Sequence, residues 1–442
     1  MNFLNSTQLK ALYHQTWPML IGLFTIMASQ LIDSAFIGQL GAKPLAVIGF
    51  SLPLYQVVIG VQVGLGIATT ACIANALGAS NTVYARALAL AVLILGICVI
   101  TLMCLLIWYF QVGIIEQLGA QKSLLPTIRG YWIPWLISCW LGAILYFGYS
   151  ICRSYGETKI PGQVMMITSV LNVILDPILM FTFDLGLPGA AWATTIAFFI
   201  GCLVVFRTVF NRRMLVLKPS YILLYQSIKE VFNFTLPAML GQFLPPLSAL
   251  LVTIIIAAYG EVAVGVWGLA NRIESMSIIL ILALTMAMPP LIGKLRGKNE
   301  PKQIFKLVKI AIVCVMFIQL LLALMLFAIA GPVIGLLTEN TDMQQLLSFY
   351  LASVPLSYGA LGVCMISVSA CNAMGMPTFA LIISMVRLFL CYLPAIWIGA
   401  HVFGLQGVFC GAMLGNFLSG ITAWFIFKRQ HRKSCLLSQV SV

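Results

Sequence analysis

Charge is what this sequence has least of. Only 8% of its 442 residues are Asp, Glu, Lys or Arg, against 62% hydrophobic. Soluble domains carry about 25% charged and about 45–50% apolar residues. A soluble globular chain is therefore excluded, and lipid must be the solvent for most of the surface. Acid is scarcer still, eleven residues in all. The three histidines, His14, His401 and His431, lie at the ends of apolar segments or in the tail. Neither H-E-x-x-H nor G-x-S-x-G occurs, so the common intramembrane hydrolase chemistries lack their machinery and an enzyme is not expected. Gly293 and Gly297 flank only three residues and Lys298 is followed by Asn299, so no G-x-x-x-x-G-K-[ST] loop exists to bind ATP. The twelve cysteines contain no C-x-x-C, and most sit inside apolar stretches (Cys98, Cys104, Cys139, Cys202, Cys314), where they read as small packing residues. The opening MNFLNSTQLKALYHQTWP has no basic n-region leading into a short apolar core and no cleavage site, so the first span is expected to be retained.

Hydropathy is what the chain has in abundance. About twelve apolar stretches, near 16–38, 46–77, 87–111, 125–150, 163–183, 189–207, 233–258, 264–293, 307–330, 346–371, 378–400 and 407–427, are each long enough to cross a core of about 30 Å as a helix. The expected fold is an all-α polytopic membrane protein. The net charge of +13 does not point to nucleic acid, because its distribution follows the membrane. With both ends on one side, one set of loops collects nineteen Lys and Arg, from Lys10 and Arg86 to Arg432 and Lys433, while the other holds only Lys43, Lys122 and Arg129. That bias predicts both termini in the cytoplasm and residence in the inner, cytoplasmic membrane.

The chain is also a duplication. TWPMLIG (Thr16 to Gly22) returns as TLPAMLG (Thr235 to Gly241), 219 residues on. The same offset carries Gly41 to Gly260, Gly49 to Gly268, Gly78 to Gly297 and Gly156 to Gly375. Later the register slips by one, so that LGLPGAA from Leu185 matches FGLQGVF from Phe403. Two parallel repeats of six helices are expected, related by a pseudo-two-fold axis along the membrane normal. They are expected as a lobe over 1–210, a basic cytoplasmic linker over 211–232, and a second lobe over 233–442 ending in a basic tail. A cleft between two such lobes is the working part of an alternating-access carrier. Pro18 and Pro237 are expected early in their helices, where a missing N–H is tolerated.

Three acids fall within apolar stretches: Asp33, Asp176 and Glu274. An ionisable group near the membrane centre costs about 2.5–3.5 kcal/mol and so points to function. The repeat supplies a control. Asp33 corresponds to Val252, and Asp176, after the slip, to Pro394, so the duplicated scaffold does not need either carboxylate to fold. Asn172 and Asp176 stand at i and i+4 on one helix face; in the first helix Ser29, four residues before Asp33, and Gln30, three before it, share its face, and Thr194 lies about two turns into the next. If those helices converge, two carboxylates, an amide and a hydroxyl form one pocket. Such a pocket can hold a shared proton, because two close carboxylates in a poor dielectric cannot both stay ionised, or it can bind Na⁺ through hard oxygens. It could also be a hydrogen-bond network that merely pins helices. Glu274 is different: Arg272 and Arg387 lie in the same half, and a Glu274–Arg387 ion pair would neutralise both charges. Substrate binding or closure of the lobe is the alternative role for these three.

These residues give the chain a resemblance to the multidrug and toxic compound extrusion (MATE) transporters over essentially its whole length. It rests on IDSAFIGQLGAKPLAVIGF at 32–50, LGASN at 77–81, LNVILDPILMF at 171–181, GLPGAAWAT at 186–194 and NRIE at 271–274. The resemblance implies a secondary active carrier that expels lipophilic, often cationic compounds in exchange for H⁺ or Na⁺, with no other cofactor. It also implies a cation site at Asp33, Asp176, Asn172 and Thr194. One branch of the family carries further carboxylates in the seventh and tenth helices; 233–258 and 346–371 contain none, so the chain looks more like the DinF-type branch. A lipid-linked oligosaccharide flippase of the same superfamily is the alternative, disfavoured because the buried basic residues are few and the first lobe is acidic. Expected partners are small amphipathic or cationic molecules and the bilayer, with no nucleic acid and a monomeric carrier.

Overall fold

A peptide group in hydrocarbon has no water to bond, so a chain this apolar must satisfy its backbone within helices. The computed structural model describes residues 7–117, 124–216, 218–337 and 339–440 and shows that outcome; Lys122, assigned above to an outer loop, lies outside those residues. The first half contains α1 (Thr7–Gln39), α2 (Ala42–Gly78), α3 (Thr82–Tyr109), the short α4 (Gln111–Gln117), α5 (Leu125–Ser154), α6 (Lys159–Pro177) and α7 (Gly186–Asn211). The second contains α8 (Tyr221–Ala257), α9 (Glu261–Ser277), α10 (Ile279–Gly297), α11 (Pro301–Ala328), the short α12 (Ala330–Leu337), α13 (Thr341–Ser353), α14 (Tyr358–Ala373), α15 (Pro377–Met385) and α16 (Leu393–Val440). Two π-helical segments, Ile178–Thr182 after α6 and Val386–Tyr392 before α16, interrupt the α-register. The first follows Pro177, which has no N–H to offer the preceding turn.

Among the described residues eleven helical runs are long and apolar enough to cross a membrane. The last, Pro377–Lys433, is 57 residues long and breaks at Phe403 and Gly404, so it makes two crossings and the total is twelve. The protein is a multi-pass, all-helical membrane protein.

The backbone repeats what the sequence repeats. Gly41 (φ 101°) and Gly260 (φ 94°) start α2 and α9, and Gly156 (φ 92°) and Gly375 (φ 75°) turn the chain into α6 and α15. Positive φ at these positions favours a residue without Cβ. The one-residue slip is visible too: Gly186 (φ 57°) pairs with Gly404 (φ 60°), 218 residues apart.

The chain divides by contact into two units, Gln15–Met239 and Met1–His14 with Leu240–Val442. The division therefore falls inside α1 and α8 rather than at the expected linker. Residues 211–232 are not a separate element, since α8 begins at Tyr221 and runs on into the span. In the first unit the Tyr84 hydroxyl, at the start of α3, donates to Glu230 of α8, and Ser227 lies beside it. In the second unit Gln8 of α1 donates from Nε2 to Oε1 of Gln303, at the start of α11, at 2.6 Å. Tyr84 and Gln303, and likewise Gln8 and Ser227, are related by the offset of 219. Each unit thus takes the N-terminal end of the other repeat's leading helix. Leu12, 3% exposed, is buried with Ile281, Leu307 and Phe427 in a core of the second unit.

The leading prolines are placed differently from expectation. Pro18 lies well inside α1, which begins at Thr7, and Pro237 lies well inside α8. Neither occupies a first turn. A proline there deletes a backbone bond and bends the helix, and both stand within a few residues of the places where their helices pass from one unit to the other.

Candidate functional site

α6 carries Asn172 and Asp176 on one face, as the i, i+4 spacing requires. The Asn172 amide donates to Asp176 Oδ1 at 3.2 Å and to Thr194 Oγ1, on α7, at 3.1 Å. The Thr194 hydroxyl in turn donates to the Ala190 carbonyl at 3.0 Å, which leaves its oxygen to receive the amide. Asp33, on α1, comes within side-chain hydrogen-bonding reach of Asp176. Three helices of the first unit thus bring together the four residues singled out in the sequence.

The pocket is electrostatically incomplete. Asp176 is fully buried, at 0% exposure. Oδ2 of Asp176 and Oδ1 of Asp33 are both shielded from solvent, and neither receives a hydrogen bond. Buried acceptors without a donor, on two neighbouring carboxylates, are unfavourable in a poor dielectric. A proton shared between them, or a cation coordinated by both, would remove the penalty. Among the described residues no group of three His, Cys, Asp or Glu side chains could hold a metal ion, so a cation here would rely on two carboxylates with amide and hydroxyl oxygens.

Two neighbours in sequence do not join. Ser29 donates to its own helix, at the Ile26 carbonyl, 2.9 Å away, and Gln30 is exposed. Tyr131, on α5, does lie close to Asp33 and to Tyr55 of α2. Sequence reasoning missed it, because a tyrosine in an aromatic-rich helix reads as packing. Met165 packs against Gly22 and is 3% exposed.

The second-unit residues form a different arrangement. Glu274, on α9, is half-buried and lies near Arg387 and near Tyr350, Tyr358 and Tyr392. The expected Glu274–Arg387 ion pair does not form: the one ion pair among the described residues is Arg212–Glu157. Arg272 is exposed. Two residues from Glu274, it stands roughly 200° around the helix and cannot share its face.

The MatE family profile matches residues 18–178 and 237–415, one segment in each half. The structure is similar to that of the MATE transporter VcmN of Vibrio cholerae in its bent form, with a TM-score of 0.95 and 45% identity over 98% of both chains. The sequence is 28% identical to a FAD transporter of Shewanella oneidensis over 95% of this chain and 94% of that one. It is 26% identical to the multidrug export protein MepA of Staphylococcus aureus, over 96% and 94%. Family matches in both repeats, a shared fold and full-length relatives agree: this chain belongs to the MatE family of multidrug efflux transporters, and it is a membrane carrier, not an enzyme.

Proposed function

We propose that the protein exports small lipophilic, often cationic molecules in exchange for H⁺ or Na⁺, and that Asp33, Asp176, Asn172 and Thr194 form the coupling site. The observation that carries this reading is the pair of buried, donorless carboxylate oxygens on Asp33 and Asp176. In the inward-open state the pair is at least partly charged and the carrier accepts its cargo. After reorientation an ion enters from outside and neutralises the pair. Each partner lowers the other's affinity, and that coupling is reciprocal. Both termini face the cytoplasm, as the Lys and Arg asymmetry supports, and the carrier works as a monomer. The name of MepA, a multidrug export protein, supports this class of cargo.

The test is transport in proteoliposomes. Efflux of a fluorescent organic cation under an imposed pH or Na⁺ gradient is expected to follow one of the two gradients, and to lose that dependence in Asp33→Asn and Asp176→Asn. If both variants keep the full gradient-driven rate, the coupling assignment fails. A second reading, export of a flavin dinucleotide, rests on the Shewanella relative. FAD loaded into the same vesicles decides it: gradient-driven loss of FAD with no movement of organic cations would favour the dinucleotide.

A further inference from the structure

The exchange proposed above makes no use of Glu274. Subtracting 219 from its surroundings relates the two units: Glu274 becomes Tyr55, Tyr350 becomes Tyr131, and Tyr358 becomes Cys139. In the first unit Tyr55, Tyr131 and Cys139 are neighbours, and Tyr131 lies beside Asp33. In the second unit Tyr350 and Tyr358 are neighbours and both lie beside Glu274. The equivalent cluster therefore lies beside an acid in each repeat, Asp33 of α1 in one and Glu274 of α9 in the other.

The phenols do not satisfy this acid. The Tyr350 hydroxyl donates to the Ala270 carbonyl at 3.3 Å and is 2.7 Å from the Tyr358 hydroxyl. The two phenols bond each other, and neither makes a hydrogen bond to Glu274. The other groups facing Glu274 are Tyr392 and Arg387, both on the π-helical segment Val386–Tyr392. Arg387 is near enough to balance a carboxylate yet makes no ion pair with it. Its positive charge disfavours a metal cation beside Glu274. A proton, which abolishes the carboxylate charge instead of adding a neighbour to Arg387, is the ion that fits.

We propose that Glu274 is a second proton-exchange site, independent of the Asp33–Asp176 pair, with Arg387 balancing its charge when the proton leaves. The test is infrared difference spectroscopy of the purified full-length carrier between acidic and alkaline buffer. The Asp33→Asn/Asp176→Asn double variant removes the first-unit pair, so failure of that pair as a coupling site cannot affect the result. In this background a buried protonated-carboxyl band is expected, and adding Glu274→Gln is expected to remove it. Should the triple variant fail to fold, Glu274→Asp in the same background is expected to shift the band. Absence of the band from the double variant, its survival in Glu274→Gln, or its insensitivity to Glu274→Asp overturns the proposal.

Discussion

Replacing Asn172 with alanine removes two hydrogen bonds at once. One runs to Asp176 Oδ1 at 3.2 Å and the other to Thr194 Oγ1 at 3.1 Å. They are not equal. A hydrogen bond to a charged group is worth about 1.5–3 kcal/mol, and a neutral one about 0.5–1.5 kcal/mol. Asp176 has no solvent to replace the lost donor, since it is fully buried. The two together come to about 2–4.5 kcal/mol, so at about 1.4 kcal/mol per factor of ten Asn172→Ala is expected to lower the gradient-driven efflux rate roughly 30- to 1,500-fold. Thr194→Val keeps the bond to Asp176 and loses the neutral bond from Asn172; its other bond, to the Ala190 carbonyl, lies within α7, so the loss to the pocket should cost about 2- to 12-fold. Thr194→Ser keeps the oxygen and should stay near the wild-type rate. The assay is the initial rate of ion-driven efflux from proteoliposomes, normalised to inserted protein. If Thr194→Val costs as much as Asn172→Ala, or Asn172→Ala stays within about twofold of wild type, the carboxylate bond is not what organises the pocket.

Three further outcomes follow from the packing. Val252, the counterpart of Asp33, is fully buried in a hydrophobic core with Trp267, Val266 and Leu347, so Val252→Asp should cost about 2.5–3.5 kcal/mol and show as lost membrane expression. A Cβ on Gly411 would overlap the Ala395 carbonyl, and one on Gly415 would come within 2.8 Å of Tyr392 Cα, so Gly411→Ala should lower stability by about 1–3 kcal/mol, read as an earlier melting transition in detergent. Halves separated at residue 219 and expressed alone should fail to accumulate, whereas co-expression should restore a folded complex that purifies through a tag on either half.

The Asp33–Asp176 pocket was legible because the membrane makes acids conspicuous. Asp33 and Asp176 stand out against apolar neighbours, and helical spacing alone puts Asn172 on the face of Asp176. Tyr131 was hidden because nothing in a string of aromatics says which ring will meet a carboxylate from another helix. Glu274 and Arg387 were visible as charges, but opposite signs in one half do not fix whether two side chains pair, and here they form no ion pair. The paths of α1 and α8 were hidden for a different reason. Hydropathy reports that a segment is apolar, not which bundle it completes, and a continuous helix carries no break in pattern where it passes from one bundle to the other. The apolar run alone places Pro18 and Pro237 early in their helices, because those helices begin earlier than the apolar run does.

The placement of Leu12 in the core of the opposite repeat bears on how such a chain could arise. A protein made of one six-helix repeat has no second half from which to borrow that segment. It could bury it only by lending its own leading helix to an identical copy and receiving one in return, the geometry of a domain-swapped homodimer. Gene fusion would then have joined two chains that were already entangled. Once they shared one backbone, each copy was free to lose residues its partner kept, so that Val252 and Asp33 could come to occupy the same position.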